Sequence, residues 1–409
     1  MSGIRSRDQA DVIVIGGGPG GAAAATLLQR QGHRCVIVER SRFPRYRIGE
    51  SLIPHTFGPL SRLGLIPRLE ASHFPPKHSV RFVSVDGAES EPFYFSETID
   101  SEAARTWQVE RAEFDQMCLD HAVENGVEVR QNACVTQVLF EEDLATGVRV
   151  STGDGTFDMA SRVVVDASGR ATVIGRQLEL RESIPWLQKA SVWSYFRGGK
   201  RGDGIDAGET TIFLLQNRGW AWYIPLPDDT VSVGVVAAPD DLFPAESTAE
   251  AAFIRAVSGS AALSARLASA ERTAGVRGGS AHLAYRNRET CGPGWVMVGD
   301  ARAFLDPIYS SGVFLALASA EAAAGCIHEA LDAGDVSPSK LGAFEPGLNA
   351  GVSVIAALIR AFYCESFSFR TFLSHHPGQR AALIDCLVGD VFDKDMGAFV
   401  SALESTSQP

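Results

Sequence analysis

DVIVIGGGPGGAAAATLLQRQGHRCVIVER, Asp11 to Arg40, reads as strand, glycine turn, helix and second strand. Asp11 to Ile15 is a short β-branched run, the composition expected of a strand buried on both faces. Gly16, Gly18 and Gly21 give the spacing GxGxxG. The first glycine permits the tight turn, the second lets backbone approach a pyrophosphate, and the third lets the helix lie close to the strand. The alanine-rich stretch from about Gly20 to Gln31 predicts a helix whose first N–H groups favour a negative phosphate. CVIVE predicts the second strand and ends in Glu39, placed to accept hydrogen bonds from ribose hydroxyls. A lone GxGxxG is weak evidence. Here strand, turn, helix, strand and acid arrive in order, which leaves little room for a purely structural turn. An acid rather than an arginine at the strand end suggests an unphosphorylated adenosine ribose, as in FAD or NAD.

The rest of the 409-residue chain suits two or three domains or one large interleaved unit. Hydrophobic residues make up 45% and charged residues 21%, an ordinary globular composition. The net charge of −12 argues against nucleic-acid or acidic-membrane surfaces. Seven scattered cysteines with no CxxC pair suggest neither a disulfide framework nor a zinc site, so a reducing cytoplasm is expected. No signal peptide or membrane span is read: VIVI runs straight into glycines, and VSVIAALIRAFYC is broken by Arg360.

Two later segments narrow the cofactor. RVVVDASGR, Arg162 to Arg170, reads as another buried strand running into small residues. GWVMVGDARAFLDPIYSSGVFLALASAEAAA, Gly294 to Ala324, reads as a strand ending in Gly299–Asp300, a loop and an alanine-rich helix. Asp300 at that strand end suits a ribityl hydroxyl, and a helix start near Gly312 points positive dipole at a flavin edge or an anion. Each is only a turn when taken separately. Spaced behind the N-terminal GxGxxG, they resemble the FAD-binding fold of the para-hydroxybenzoate hydroxylase type. VERAEFDQMCLDHA, Val109 to Ala122, is similar as well. In that type the arginine matching Arg111 lies near the flavin; otherwise it reads as a surface arginine. The resemblance also implies cofactor contacts from Arg40, Ser51, Val135, Gly312 and Val313. Only one dinucleotide fingerprint is found, so the reductant is expected from a separate NAD(P)H-dependent flavin reductase.

Three stretches sharpen the resemblance. They are YRIGESLIPHT with Gly49–Glu50–Ser51, HFPPKHSVRF with Lys77 after Pro75–Pro76, and WAWYIP, Trp220 to Pro225. On its own, WAWYIP is a half-buried strand whose Trp220, Trp222 and Ile224 share one face, closed by Pro225. Together with DPIYSSGV, these stretches resemble the flavin-dependent halogenases, more the phenol and pyrrole branch than the tryptophan branch. The resemblance covers residues 8 to about 330.

It implies that FADH2, O2 and chloride or bromide yield hypohalous acid. By the same resemblance the halide would be held by backbone N–H groups at Ser311 and Gly312. Lys77 captures or directs the oxidant, a role that suits an amine freed by desolvation. The bland reading of a lysine is a solvated surface group; the Phe74–Pro75–Pro76 turn argues for a fixed backbone. Trp220, Trp222, Ile224 and Pro225 would partition flavin from substrate. Tryptophan halogenases carry a glutamate where this chain has Tyr309, which favours an electron-rich ring such as a phenol or pyrrole, free or carrier-bound. No substitute base is evident: Glu50 reads as part of a flavin-side loop.

The expected fold class is α/β, a Rossmann-like FAD-binding domain with an interleaved antiparallel β-sheet substrate domain and a helical C-terminal region. FAD-binding parts span 8–80, 106–175 and 281–330; substrate-domain strands span 81–105 and 176–280; the helical region spans 331–409. KASVWSYF, TTIFLL, WAWYIPL and VSVGVVAA alternate as sheet strands should. Phe362, Phe367, Phe369 and Phe372 read as packing rather than pocket lining. His375–His376 reads as a loop rather than a metal site, and no metal is expected. Two rivals stand beside the halogenase: an aromatic hydroxylase of the same fold, and a non-catalytic FAD-binding protein.

Overall fold

The computed structural model describes residues 9–244, 247–278 and 283–406. Its first sheet is built on Gln9–Ile15, with Cys35–Val38 on one side and Gly155–Asp166 on the other, all parallel. Glu128–Arg130 and Trp295–Met297 extend the parallel set at the two sides. Parallel strands need cover on both faces, and side-chain alternation divides that cover. Val12 and Val14 face the helices Pro19–Arg30, Arg111–Glu124 and Gly312–Ala333. Ile13 and Ile15 face the antiparallel meander Cys134–Glu141 and Leu144–Thr152. The result is three layers around the glycine turn.

The turn needs its glycines for the reasons the pattern gives. Gly16 sits at φ +102°, and a Cβ on Gly21 would stand 2.0 Å from the Gly16 carbonyl oxygen. The helix after it runs Pro19–Arg30, one residue earlier at each end than the sequence suggested. Gly20 packs on Ala316, so small residues bring this helix against Gly312–Ala333. That second helix has the length and apolar composition of a membrane span; here Leu317, Ala320, Ala323, Ala324 and Ile327 are spent on the core.

The second sheet has the order Glu271–Arg272, Ala190–Arg197, Thr230–Ala237, Trp220–Pro225, Thr210–Leu214, Ser79–Val83, Phe93–Tyr94. It is antiparallel except where Ser79–Val83 runs parallel to Thr210–Leu214. The expected boundary at residue 80 runs through the first of these strands. Ala221 and Tyr223 face the helix Ala249–Ser258, whereas Trp220, Trp222 and Ile224 face the C-terminal helices. Glu345–Phe362, Phe369–His375, Arg380–Val388 and Gly397–Thr406 form that helical layer. Phe362, Phe367, Phe369 and Phe372 pack within it, as the composition suggested. His375 closes a helix instead of lying in a loop, because the Ser368 hydroxyl caps that helix at its N-terminus.

Candidate active site

A cavity of about 1210 Å3 runs from the glycine turn, between the two sheets, to the tryptophan strand. Two helices start on it. Gly18 caps Pro19–Arg30 and Ser311 caps Gly312–Ala333, both without a side-chain hydrogen bond to the first turn. Their free N–H groups and positive dipole ends suit anions. A Cβ on Gly312 would meet nothing within 4 Å, and one on Gly18 would meet only Arg45 Nη2, at 3.4 Å. Both glycines leave backbone open to a ligand.

Among the residues singled out from sequence, Gly16, Gly18, Glu39, Arg40, Ser51, Arg111, Val135, Asp300, Gly312 and Val313 line this cavity, with Trp220, Trp222 and Ile224. Gly21, Lys77, Pro225 and Ser311 do not. Gly21 supports the turn from behind, and Pro225 ends its strand opposite Val231. Glu39 accepts from the Gly17 and Ser41 N–H groups, each at 2.8 Å. Its oxygens retain further lone pairs toward the cavity. Arg111 lies at a helix start as expected, and Asp115 one turn later grips its Nε and Nη2 at 2.8 and 3.0 Å. Asp115 also binds Arg45 at 2.7 Å. The spacing Arg111–Asp115 was readable as an i, i+4 pair; the second arginine was not. Burial raises the Asp300 carboxyl to about 6, while Arg111 and Arg170 pull it back. An uncapped phosphate-type helix start, an acid after the second strand and a ribityl-type acid at the far wall together fit FAD.

Lys77 departs most from the sequence picture. Pro76–Lys77 is not a turn but a short strand paired with Thr106–Trp107, since prolines favour extended backbone. The side chain is buried at 3% exposure. Nζ donates to Ser51 Oγ at 2.9 Å and to the Leu52 carbonyl at 3.0 Å, with the Phe95 ring 5.4 Å away. Among the described residues no carboxylate offsets the burial, which lowers the amine to about 7. The neutral amine can satisfy both acceptors and still keep its lone pair. Ser51, bonded in turn to Thr210 Oγ1 at 2.9 Å, is the wall between Lys77 and the cavity.

The tryptophans are fixed by partners that local pattern does not reveal. Trp222 Nε1 donates to Ser232 Oγ at 3.1 Å, and its ring lies over Gly234, where a Cβ would stand 2.0 Å from the indole. Trp220 Nε1 donates to the Tyr363 hydroxyl at 2.8 Å, which donates to Asp306 at 2.9 Å. Burial raises Asp306 to about 6, against the Ile308 N–H and Tyr363. Tyr309 lies off the cavity, edge-on to Phe362 at 6.2 Å, and is a packing residue. Glu50, 4% exposed, is on the wall. Its Oε1 accepts from Tyr195 at 2.6 Å, Oε2 has no well-formed hydrogen bond among the described residues, and burial raises its carboxyl to about 7 against Tyr195 and Ser232. Away from the cavity, His33, His328 and Asp332 are gathered within ligand reach of one another, with His33 Nε2 2.8 Å from His328 Nδ1.

Comparison with known proteins agrees with this geometry. The family model described as tryptophan halogenase matches residues 11–104 and 95–371. A 1H-pyrrole-2-carbonyl-[peptidyl-carrier protein] chlorinase of Pseudomonas fluorescens is 31% identical over 403 residues, covering 93% of this chain and 89% of the relative. The corresponding brominase of Pseudoalteromonas luteoviolacea is 32% identical over 387 residues, covering 94% and 92%. The solved flavin-dependent brominase Bmp2 superposes with a TM-score of 0.88 at 30% identity, covering 97% of this chain and 98% of that one. The FAD-type cavity, the tryptophan strand and these relatives lead to one assignment: the chain belongs to the tryptophan halogenase family and is a flavin-dependent halogenase.

Proposed function

We propose that this enzyme receives FADH2 from a separate NAD(P)H-dependent flavin reductase. With O2 and chloride or bromide it halogenates a pyrrole, or a similarly electron-rich phenol, carried on a peptidyl-carrier protein. The named substrates of the two pyrrole-acting relatives support the carrier-bound pyrrole. Reduced FAD, when bound, would activate O2, the oxidant that turns the halide into hypohalous acid. The chain supplies the rest. The Ser311–Gly312 helix start holds the halide by its N–H groups, and the Trp220–Trp222–Ile224 face keeps the ring from the flavin. Lys77 takes the halogen: its amine nitrogen bonds to halogen, and the released oxygen leaves as water with one amine proton. The parts of the chain around the glycine turn bind FAD and the second sheet serves the substrate. Seven cysteines, none of them in a disulfide, suit a reducing cytoplasm.

The observation that carries this reading is the buried, uncharged-leaning Lys77 amine held against Ser51 on the cavity wall. The test is product mass spectrometry with a flavin reductase, NADH, FAD and halide. It compares pyrrole-2-carboxylate free, the same acyl group on a carrier protein, and a set of phenols. A halogen isotope pattern on the carrier-bound acyl group is expected. Gain of one oxygen instead would overturn the reading in favour of a hydroxylase.

A further inference from the structure

Halogenation by this enzyme has a proton balance that its halide-binding and lysine groups do not meet. With the halide entering as an anion, the net reaction is ArH + X⁻ + FADH2 + O2 + H⁺ → ArX + FAD + 2 H2O. One proton must therefore come from solvent in every turnover, into a cavity walled by tryptophan.

One hydrogen-bonded path reaches that cavity from the surface. The Tyr46 hydroxyl lies on an exposed side chain, 2.9 Å from the Tyr195 hydroxyl. Tyr195 donates to Glu50 Oε1 at 2.6 Å. Trp193 Nε1 donates to Tyr46 at 2.6 Å and so occupies one lone pair of that oxygen. Tyr46 is 37% exposed, so solvent reaches this end of the row, and the Tyr46 hydrogen is free to point at Tyr195. Every donor in the row then points inward, toward Glu50. At the inner end, on a residue that lines the cavity, Oε2 is buried with no well-formed hydrogen bond among the described residues, although the Ser232 hydroxyl is near enough to favour the carboxylate. A buried carboxyl oxygen without a partner is costly unless it is protonated or meets a ligand.

We propose that Glu50, Tyr195 and Tyr46 form the proton entry of this active site. Glu50 starts protonated on Oε2; that O–H bond breaks when a basic oxygen formed in the cavity takes the proton. The Tyr195 proton then bonds to Oε1 of the carboxylate so formed, and rotation of the carboxyl returns it to Oε2. A solvent proton bonds to the Tyr46 oxygen as its own proton moves to Tyr195. No electrons are exchanged, and the hydroxyls reset by rotation. This inference rests on the halogenase reading. The charged and titratable groups that face the path are Arg111 and Glu110 at the helix start below Glu50, and Arg277, which covers the Tyr46 ring at 3.9 Å. The Ser232 hydroxyl also favours the Glu50 carboxylate. Tyr195 itself is held neutral, its hydroxyl raised far above the usual range by burial and Glu50.

The test has two arms. In the first, the flavin-free protein is titrated by infrared difference spectroscopy against Glu50→Gln. A carboxyl band with a midpoint near 7 is expected; it should be absent in Glu50→Gln and should shift upward in Tyr195→Phe, which loses a hydrogen bond to the carboxylate. A midpoint in the ordinary range near 4.3 would overturn the proposal. In the second arm, turnover is followed against pH with a substrate that wild type halogenates. Glu50→Gln should lose about 100-fold in turnover, the scale of a lost general acid. Tyr195→Phe and Tyr46→Phe should lose activity chiefly at alkaline pH, with recovery on adding imidazole buffer. A pH-independent loss without rescue, or a Glu50→Gln enzyme within about twofold of wild type, would overturn the relay. If wild type halogenates nothing, the functional reading fails, and the infrared arm still judges Glu50 separately.

Discussion

Replacing Lys77 with methionine should make the protein more stable at neutral pH, by an amount that fades as pH rises. The amine falls from an ordinary 10.5 to about 7 because burial penalises its charge. At 1.36 kcal/mol per pH unit, that difference is roughly 5 kcal/mol. The unfolded chain binds more protons than the native one between pH 7 and 10.5, so this lysine's contribution to stability rises with pH across that window. Below pH 7 the whole cost is present; near pH 10.5 it has vanished. Methionine fills a similar volume without a charge. It leaves the Leu52 carbonyl without the amine's hydrogen bond and Ser51 Oγ with only its Thr210 partner, at a cost of about 1–2 kcal/mol. The net expectation is a gain of about 3 kcal/mol at pH 7, shrinking to zero or a small loss by pH 10. Urea unfolding of the flavin-free protein at intervals from pH 6 to 10 measures it directly. A wild-type-minus-mutant difference that stays flat with pH would refute the desolvated amine, and with it the reason a lysine is suited to this position.

Glu50 should behave with the opposite sign. Its carboxyl is raised from 4.5 to about 7, so native protein binds the extra proton and stability falls as pH rises through that window; unfolding curves of Glu50→Gln should lack the fall. Gly234→Ala places a Cβ 2.0 Å from the Trp222 ring, which should cost about 1–3 kcal/mol by overpacking and change indole fluorescence. Gly21→Ala puts a Cβ 2.0 Å from the Gly16 oxygen, and should abolish FAD retention on gel filtration even where the fold survives. Tyr363→Phe removes the acceptor of the Trp220 indole and the donor to Asp306; a loss of about 1–3 kcal/mol is expected in thermal unfolding, since two buried groups lose partners.

Much of this site was legible because it is local. The turn at Gly16, Gly18 and Gly21 states its own backbone geometry, and in WAWYIP the period of two puts Trp220, Trp222 and Ile224 on one face whatever lies opposite. Glu39 and Asp300 were readable as strand-end acids for the same reason. What escaped was set by distant partners. Ser51 and Thr210, 159 residues apart, decide that Lys77 sits behind the cavity wall instead of on it. Gly234 is an unremarked strand glycine until Trp222 lies over it. Tyr195 and Tyr46 belong to different layers, and nothing in either segment announces that they meet Glu50. Pro75–Pro76 was misread as a turn because the strand that pairs with it, Thr106–Trp107, lies 30 residues on.

The proposed role of Lys77 is to carry the halogen across a tryptophan-walled partition. The most direct measurement compares wild type with Lys77→Met for reductase-driven turnover, reading halogenated product by mass spectrometry and free hypohalous acid by a trapping dye in the same reaction. The variant should still consume O2 and release hypohalous acid while halogenated product is lost. Unchanged product from Lys77→Met would contradict it.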